Sequence, residues 1–382
     1  MEFAEHEKNL ILNKKLVIGI AGLGLIGGSI AWAFKSSDLV EKVIVYERTT
    51  KNLAKAIELG VITSESGCEL ECLRDCDVIF ICQPVDIVPF TAAKLAAITS
   101  LDGKRRGAML TDVGSAKSEI MDKVKELGVA RFIGGHPMAG SEKVGFGAAS
   151  PTLLENAIYV VCAGDSYDYS EDVELLELLI KDLGAIPVRM QAPAHDRVVA
   201  VISHLPHMLA SALCTYAAGE SEHDEMVKVL AAGGFKDITR IASSNPDMWT
   251  EIALDSRAAL LPVMSNFVNE VERLIKAIEA KDSEAICAIL EAGRVFRNEV
   301  AMSGRGILQG LPEIRVDVSD KPGEIGKVTS LLGENNINIQ NINIQHTRAY
   351  EGGTMRLTLQ NERDMTRARE LLVSEGFACH EK

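Results

Sequence analysis

With 382 residues, 47% of them hydrophobic and 25% charged, the chain has the size of two or three globular domains and too much core for a disordered protein. Its 54 acidic residues outnumber 40 basic ones, and the net charge of −14 leaves no basic footprint for nucleic acid or an anionic membrane surface. The N-terminal MEFAEHEKNLILNKK lacks the basic start and long apolar run of a secretory signal, so a cytoplasmic protein is expected.

The first element is ambiguous. Leu16 to Phe34, LVIGIAGLGLIGGSIAWAF, carries no charge and is long enough to cross a bilayer. Gly19, Gly22, Gly24, Gly27 and Gly28 argue against a span, because each costs a helix about 0.8–1 kcal/mol relative to Ala. Split at Gly22, the segment becomes a β-strand, a tight turn and the start of a helix. Gly22-Leu23-Gly24-Leu25-Ile26-Gly27 is then a GxGxxG turn. In such a turn Gly22 permits the sharp bend, Gly24 the approach of a pyrophosphate, and Gly27 the packing of helix on strand. The N–H groups of the first helical turn, from Leu25 and Ile26 onward, receive the negative charge. The next strand, KVIVYE, ends at Glu47, where an acidic side chain suits a ribose 2′-hydroxyl and hence NAD. Arg48 beside it would pair with a 2′-phosphate, which keeps NADP open.

Cys68, Cys72 and Cys76 follow at helical i, i+4, i+8 spacing, but no CxxC pair accompanies them. They read as reduced, small core residues, and no metal is expected. Strand-like runs DVIFICQP, AMLTDVG, RFIGGHP, AIYVVCAG and AIPVRM alternate with helical stretches up to about Pro187. That alternation predicts an α/β domain at 15–190 with a mostly parallel sheet. From about Ala194 to Met302 the strands vanish and Leu/Ile-rich 3.6-period stretches such as LPVMSNFVNEVERLIKAIEA take over, predicting an all-helical domain at 191–304. Gly304 to Pro312 reads as a linker. Residues 313–382 read as β, α, β, β, α with a short last strand near Ala378–Glu381, a small α+β ferredoxin-like unit.

Three clusters carry candidate chemistry. GGHPMAGSEKVGFGAA places His136 after a strand and before a glycine-rich loop, at the strand end where parallel sheets put ligands. VISHLPHMLASAL puts Ser203 and His207 four apart on one helical face, with His204 on another. GGFKDITRIASSNPDMW offers Lys236 and Arg240 four apart in an acidic protein, which suits an anionic, carboxylate-bearing substrate.

These stretches, with GLGLIGGS and TDVGSAKSEI, resemble the prephenate dehydrogenase family from about Leu16 to Pro312, and DKPGEIGKV…INIQNI resembles an ACT domain over the tail. The resemblance implies NAD-dependent oxidative decarboxylation of prephenate to 4-hydroxyphenylpyruvate in tyrosine biosynthesis. It implies His136 as the base that takes the hydroxyl proton, with Ser115 as a hydrogen-bond partner of the substrate hydroxyl or the nicotinamide region. Arg240 is implied to bind a substrate carboxylate, of the ring or of the side chain, while Ser203, His204, His207 and Lys236 shape the rest of the anion site. The resemblance also implies a homodimer through the helical domain, with the active site in the cleft between domains. In the tail it implies a tyrosine site at Asp320, Pro322, Gly323, Glu324 and Ile325, facing Asn341 and Ile342. An arogenate or dual-specificity cyclohexadienyl dehydrogenase is the nearest rival. A β-hydroxyacid-type dehydrogenase would instead carry a catalytic Lys in its helical domain, and a non-catalytic amino-acid and dinucleotide sensor would have lost the His136 or Arg240 motif.

Overall fold

The computed structural model describes residues 15–99, 107–140, 145–164, 170–303, 312–319, 321–346, 353–359 and 361–380. The chain divides into two units, Met1–Arg297 and Asn298–Lys382.

The first unit begins with a sheet of β1 (Leu16–Ala21), β2 (Val40–Tyr46), β3 (Val78–Ile81), β4 (Met109–Asp112), β5 (Phe132–Pro137), β6 (Ile158–Cys162) and β7 (Ile186–Arg189), in the order β2-β1-β3-β4-β5-β6-β7. Pairing from β2 to β5 is parallel. Helices α1 (Leu25–Phe34), α2 (Thr50–Glu58), α3 (Val88–Thr99), α4 (Ser118–Glu126) and α5 (Ser170–Asp182) accompany the strands. Alternate residues of each strand feed opposite cores. Ile18 and Ile20 pack with Phe34, Phe80 and Ile180, whereas Val17 and Ala21 pack with Ile81, Leu95 and Phe132. A strand buried on both faces has to be a continuous apolar run, as LVIGIA and VIFI are. Each such buried side chain contributes about 1.5–3 kcal/mol.

Two expectations change here. The link from β5 to β6 carries a short 3-10 turn at Phe146–Ala148, and β6 pairs antiparallel with β5. Strands paired antiparallel need no crossover helix, so the glycine-rich stretch after His136 lies beside the sheet's ligand-binding end. Leu70–Leu73, between Cys68 and Cys76, is a 3-10 turn, so the i, i+4, i+8 spacing does not place the three cysteines on one α-helical face.

The helical part consists of α6 (Ala192–Val199), a π-helical turn at Ala200–His204, α7 (Leu205–Ser221), α8 (Met226–Val229), α9 (Gly233–Thr239), a 3-10 turn at Arg240–Ser243, α10 (Pro246–Asp255), α11 (Arg257–Glu279) and α12 (Ser283–Ser303). Asn245 caps α10 by accepting the Asp247 N–H at 2.9 Å, with Pro246 in the first turn. Among the described residues, the run Ala192–Ser221 is long and apolar enough to cross a membrane by length and composition. His195, Asp196 and His204 within it are buried in protein, and Asp196 is bonded to the nucleotide-binding domain. Much of the outer apolar surface, including Leu261, Val268, Ile275 and Ile278 of α11 and Leu290 and Phe296 of α12, is exposed in the single chain.

The second unit runs β8 (Glu313–Val318), α13 (Glu324–Glu334), β9 (Ile339–His346), β10 (Gly353–Leu359), α14 (Glu362–Ser374) and β11 (Cys379–His380). Its antiparallel sheet has the order β11-β8-β10-β9, the ferredoxin-like arrangement the tail pattern predicts. Its core joins Ile314, Val316, Val328, Leu332, Leu357 and Leu372.

Candidate active site

A cavity of about 570 Å³ opens at the C-terminal ends of β1, β3, β4 and β5, where an open parallel sheet places ligands. Gly24, Leu25, Ile26 and Gly27 form one wall of it. Behind them Gly22 has φ +107°, and a Cβ there would stand 2.5 Å from the Cys82 carbonyl oxygen. At Gly27 a Cβ would meet the Gly22 carbonyl at 2.1 Å. Gly24 differs, because nothing lies within 4 Å of where its Cβ would be. Gly24 also caps α1 without any side-chain bond to the first-turn N–H groups. An open approach over uncapped amides fits a dinucleotide pyrophosphate.

Glu47 stands at the end of β2, as the motif predicts, and has local work of its own. Its Oε2 accepts the Leu23 N–H at 2.8 Å and its Oε1 the Thr49 N–H at 2.9 Å, so it braces the glycine turn from outside. Arg48 beside it is exposed.

Under the cavity floor lies an ion pair that sequence reading missed. Lys117 is bonded to Asp112, and both side chains are fully buried. Asp112 also accepts the Gly114 N–H at 2.8 Å and the Gly135 N–H at 3.0 Å, tying the turn that carries Ser115 to the strand that carries His136. Ser115 and His136 both line the cavity.

His136 does not stand alone. Its Nδ1 is 2.8 Å from Nε2 of His195, the rings meeting edge to face, and His195 Nδ1 is 2.8 Å from Oδ1 of Asp196. Asp196 accepts the backbone N–H groups of Lys117 and Ser118, each at 2.8 Å. Burial works against its charge, but the bonds from His195, Ser118 and Lys117 prevail and hold its carboxyl at about 2. Burial first, then the Lys117 ammonium and the neighbouring imidazoles of His195 and His204, push His136 well below the ordinary histidine value. The imidazole is therefore neutral near pH 7 and able to accept a proton.

The opposite wall is helical. Ser203 and His204 both line the cavity, whereas His207, expected on the same helical face as Ser203, is not among its lining residues. The π-helical turn at Ala200–His204 adds a residue to the turn, so spacing counted for an α-helix misplaces the faces beyond it. His204 is 2% exposed, burial lowers its pKa to about 4, and its Nδ1 has no hydrogen-bond partner. His207 stacks on Trp249 at 3.4 Å, and Trp249 in turn lines the cavity with Met248, Glu251, Ile252 and Asp255 of α10. Burial, then Glu119, Asp86 and Glu251, raise the Asp255 carboxyl to about 6. Lys236 on α9 and Arg240 in the following turn are exposed and are not among the residues lining this cavity. Residues 141–144 of the HPMAGSEKVG loop lie outside the described residues.

In the second unit, Pro322, Gly323, Glu324 and Ile325 form the entry to α13, with Gly323 at φ +93° as its cap. Asp320 lies outside the described residues. Glu324 is paired with Lys327 at 2.6 Å. Asn341 and Ile342 are exposed on β9, the edge strand. A hollow of about 500 Å³ in this unit is lined by Asp317, Ser319, Glu324, Lys327 and Phe377 among others, so among the described residues it shares only Glu324 with the predicted effector site.

Known proteins carry the same parts. Residues 30–188 match the family described as prephenate dehydrogenase, nucleotide-binding domain, 191–292 match prephenate dehydrogenase, dimerization domain, and 313–375 match the ACT domain. The prephenate dehydrogenase of Bacillus subtilis is 34% identical over 364 residues, covering 95% of this chain and 97% of that protein. Among solved structures, prephenate dehydrogenase from A. aeolicus in complex with hydroxyphenyl propionate and NAD+ superposes with a TM-score of 0.69 at 30% identity, over 75% of this chain and 99% of that one. Synechocystis arogenate dehydrogenase superposes at 0.66 and 31% identity, over 74% and 99% of the two chains. With a glycine turn open to a dinucleotide, a buried neutral histidine beside it and likeness over nearly its whole length, the chain belongs to the prephenate dehydrogenase family.

Proposed function

We propose that the chain oxidises prephenate with NAD, releasing CO2 and 4-hydroxyphenylpyruvate in tyrosine biosynthesis. The observation that carries the reading is His136, neutral and buried, in the same cavity as the open Gly24–Gly27 turn. Bound NAD supplies the hydride acceptor. For hydride to leave the carbon bearing the hydroxyl, the hydroxyl proton must go as well, and the His136 imidazole accepts it. Ser115 holds the hydroxyl in place. The ring carboxylate then departs as CO2, its bonding pair completes the aromatic ring, and the phenolate oxygen regains a proton. Glu47 at the end of β2 favours a ribose with a free 2′-hydroxyl, and Arg48 is the residue that would favour a 2′-phosphate.

Ser203, His204 and His207 shape the substrate pocket in this reading, with His204 Nδ1 offering an unpaired site to substrate or water. Arg240 and Lys236 are the candidate partners for substrate carboxylates, although a single chain leaves them outside the cavity wall. The domain limits 15–190, 191–304 and 313–382 belong to the same reading. A homodimer through the exposed apolar faces of α11 and α12, a cytoplasmic location and tyrosine as effector of the second unit complete it; the dimerization-domain match and those exposed side chains support the dimer, and the ACT-domain match supports a regulatory role for the second unit.

One observation favours a second reading. Glu251 and Asp255 on the cavity wall would suit the ammonium that arogenate carries where prephenate has a keto group. Initial rates of NAD and NADP reduction with prephenate and with arogenate, measured side by side, decide. Turnover of neither would sink both readings.

A further inference from the structure

We infer that His195, anchored by Asp196, is a positioning residue that fixes His136 as the Nδ1–H tautomer and leaves Nε2 as its proton-accepting nitrogen. The inference rests on the proposed role of His136 as base and adds two residues that sequence reading missed.

The argument follows the protons from one end of the chain of contacts. Asp196 accepts the backbone N–H groups of Lys117 and Ser118, so its carboxylate acts only as an acceptor. His195 Nδ1, 2.8 Å from Oδ1, must therefore carry the hydrogen of that contact. A neutral imidazole protonated at Nδ1 has a bare Nε2. That Nε2 is 2.8 Å from His136 Nδ1, so the hydrogen between the rings belongs to His136 Nδ1. Every hydrogen bond in the series then runs toward Asp196, and the lone pair of His136 is left on Nε2.

The reverse assignment would disable the base. A doubly protonated His195 would donate from Nε2 to His136 Nδ1, and His136 would then hold its own proton on Nε2. The charged and titratable groups facing this pair are Lys117 and Asp112 from the sheet side and Asp196 and His204 from the helical side. Lys117 is already neutralised by Asp112, and the charge of Asp196 is already met by two amides. His195 has no solvent exposure, and its two ring nitrogens face Asp196 and His136. When His136 takes the substrate proton, its Nδ1–H bond to His195 becomes charge-assisted and strengthens at the moment charge develops. The anchor also spans two domains. Asp196 is on α6 of the helical part, and the amides it holds begin α4 of the nucleotide-binding part, so docking of the one on the other sets the tautomer of the base.

The experiment labels the histidines of the full-length protein with 15N and reads tautomers by NMR at neutral pH, assigning His136 by its loss in His136→Asn. Nδ1–H on both His136 and His195 is expected in the wild type. An Nε2–H His136 or a doubly protonated His195 would overturn the inference, whatever substrate the enzyme turns over, so this readout stands apart from the reading of function. Kinetics of variants supply a second arm. His195→Leu removes the acceptor and should lower kcat about 100-fold, the scale of a misassigned base, with KM for prephenate and affinity for NAD changed less than about twofold. His195→Gln restores an acceptor and should recover most of that loss. A His195→Leu enzyme within about twofold of wild-type kcat, or a His195→Gln enzyme no better than His195→Leu, would refute the positioning role.

Discussion

Lys117 and Asp112 form an ion pair with neither side chain reaching solvent, five positions apart in sequence and directly beneath the strand end that bears His136. Removing one partner of such a pair leaves an uncompensated buried charge and costs about 3–5 kcal/mol. Lys117→Met should therefore lower unfolding stability by that order, because Asp112 keeps only its two backbone N–H donors. Urea melts of both proteins measure it, and a loss under about 1 kcal/mol would mean that Asp112 becomes protonated at little cost.

His136→Asn tests the base. The variant should bind NAD and prephenate about as well as wild type, while kcat falls about 10²–10⁴-fold, the range for general-base loss. Turnover within a few-fold of wild type would make His136 structural.

The two glycines of the cofactor turn should fail differently. Gly24→Val puts side-chain atoms into open space over the α1 amides, so the protein should fold and lose NAD affinity at least about tenfold, a loss of 1.4 kcal/mol. Gly27→Val drives a Cβ into the Gly22 carbonyl, where 2.1 Å is far inside contact, so it should lower thermal stability first. Thermal melts and NAD titrations of both separate the cases. Equal loss of stability in the two variants would contradict the open approach at Gly24.

Much of this arrangement was legible in the sequence because its signals are local. The apolar runs around Gly22 announce strands buried on both faces, and HPMAGSE marks a strand end. What escaped was set by contacts between distant segments. His136 and His195 are 59 positions apart, and nothing in AHDRVV announces a ring 2.8 Å from the base. Nothing in DVGSAK marks Lys117 as buried, yet it has no solvent exposure and its side chain lies close against Gly134 of β5. The expected sharing of one face by Ser203 and His207 fails because the π-helical turn at Ala200–His204 breaks the 3.6-residue count between them.

Asp255, held at about 6, predicts a pH effect on binding. Above that value its charge adds to that of Glu251 on the wall of a cavity meant for a dianion. As pH falls from about 7.5 to about 5.5 the carboxyl takes up a proton, repulsion weakens, and KM for prephenate should fall a few-fold. Asp255→Asn should flatten that dependence and lower KM at neutral pH. If arogenate is the preferred substrate the sign reverses, since its ammonium loses a partner as Asp255 is protonated. A KM for prephenate that rises toward acid pH, and does so equally in Asp255→Asn, would show that another group governs binding.

The second unit predicts feedback by tyrosine. Gly323 at φ +93° turns the chain into α13 without a side-chain cap; the Glu324 N–H is taken by the Lys321 carbonyl, which leaves the amides of Ile325 and Gly326 to meet a carboxylate, and Asn341 on the edge strand offers an amide to an amino group. Tyrosine acting here must bind the less active state more tightly, which makes its effect separable from catalysis. A chain ending near Pro312 keeps every described residue that lines the active-site cavity and should retain turnover while losing the noncompetitive part of tyrosine inhibition. Full-length Asn341→Ala should shift the same part to higher tyrosine concentration. Competitive inhibition would survive in both, because tyrosine resembles the product and can occupy the active site. Equal noncompetitive inhibition of full-length and shortened chains would place the effector site in the first unit instead.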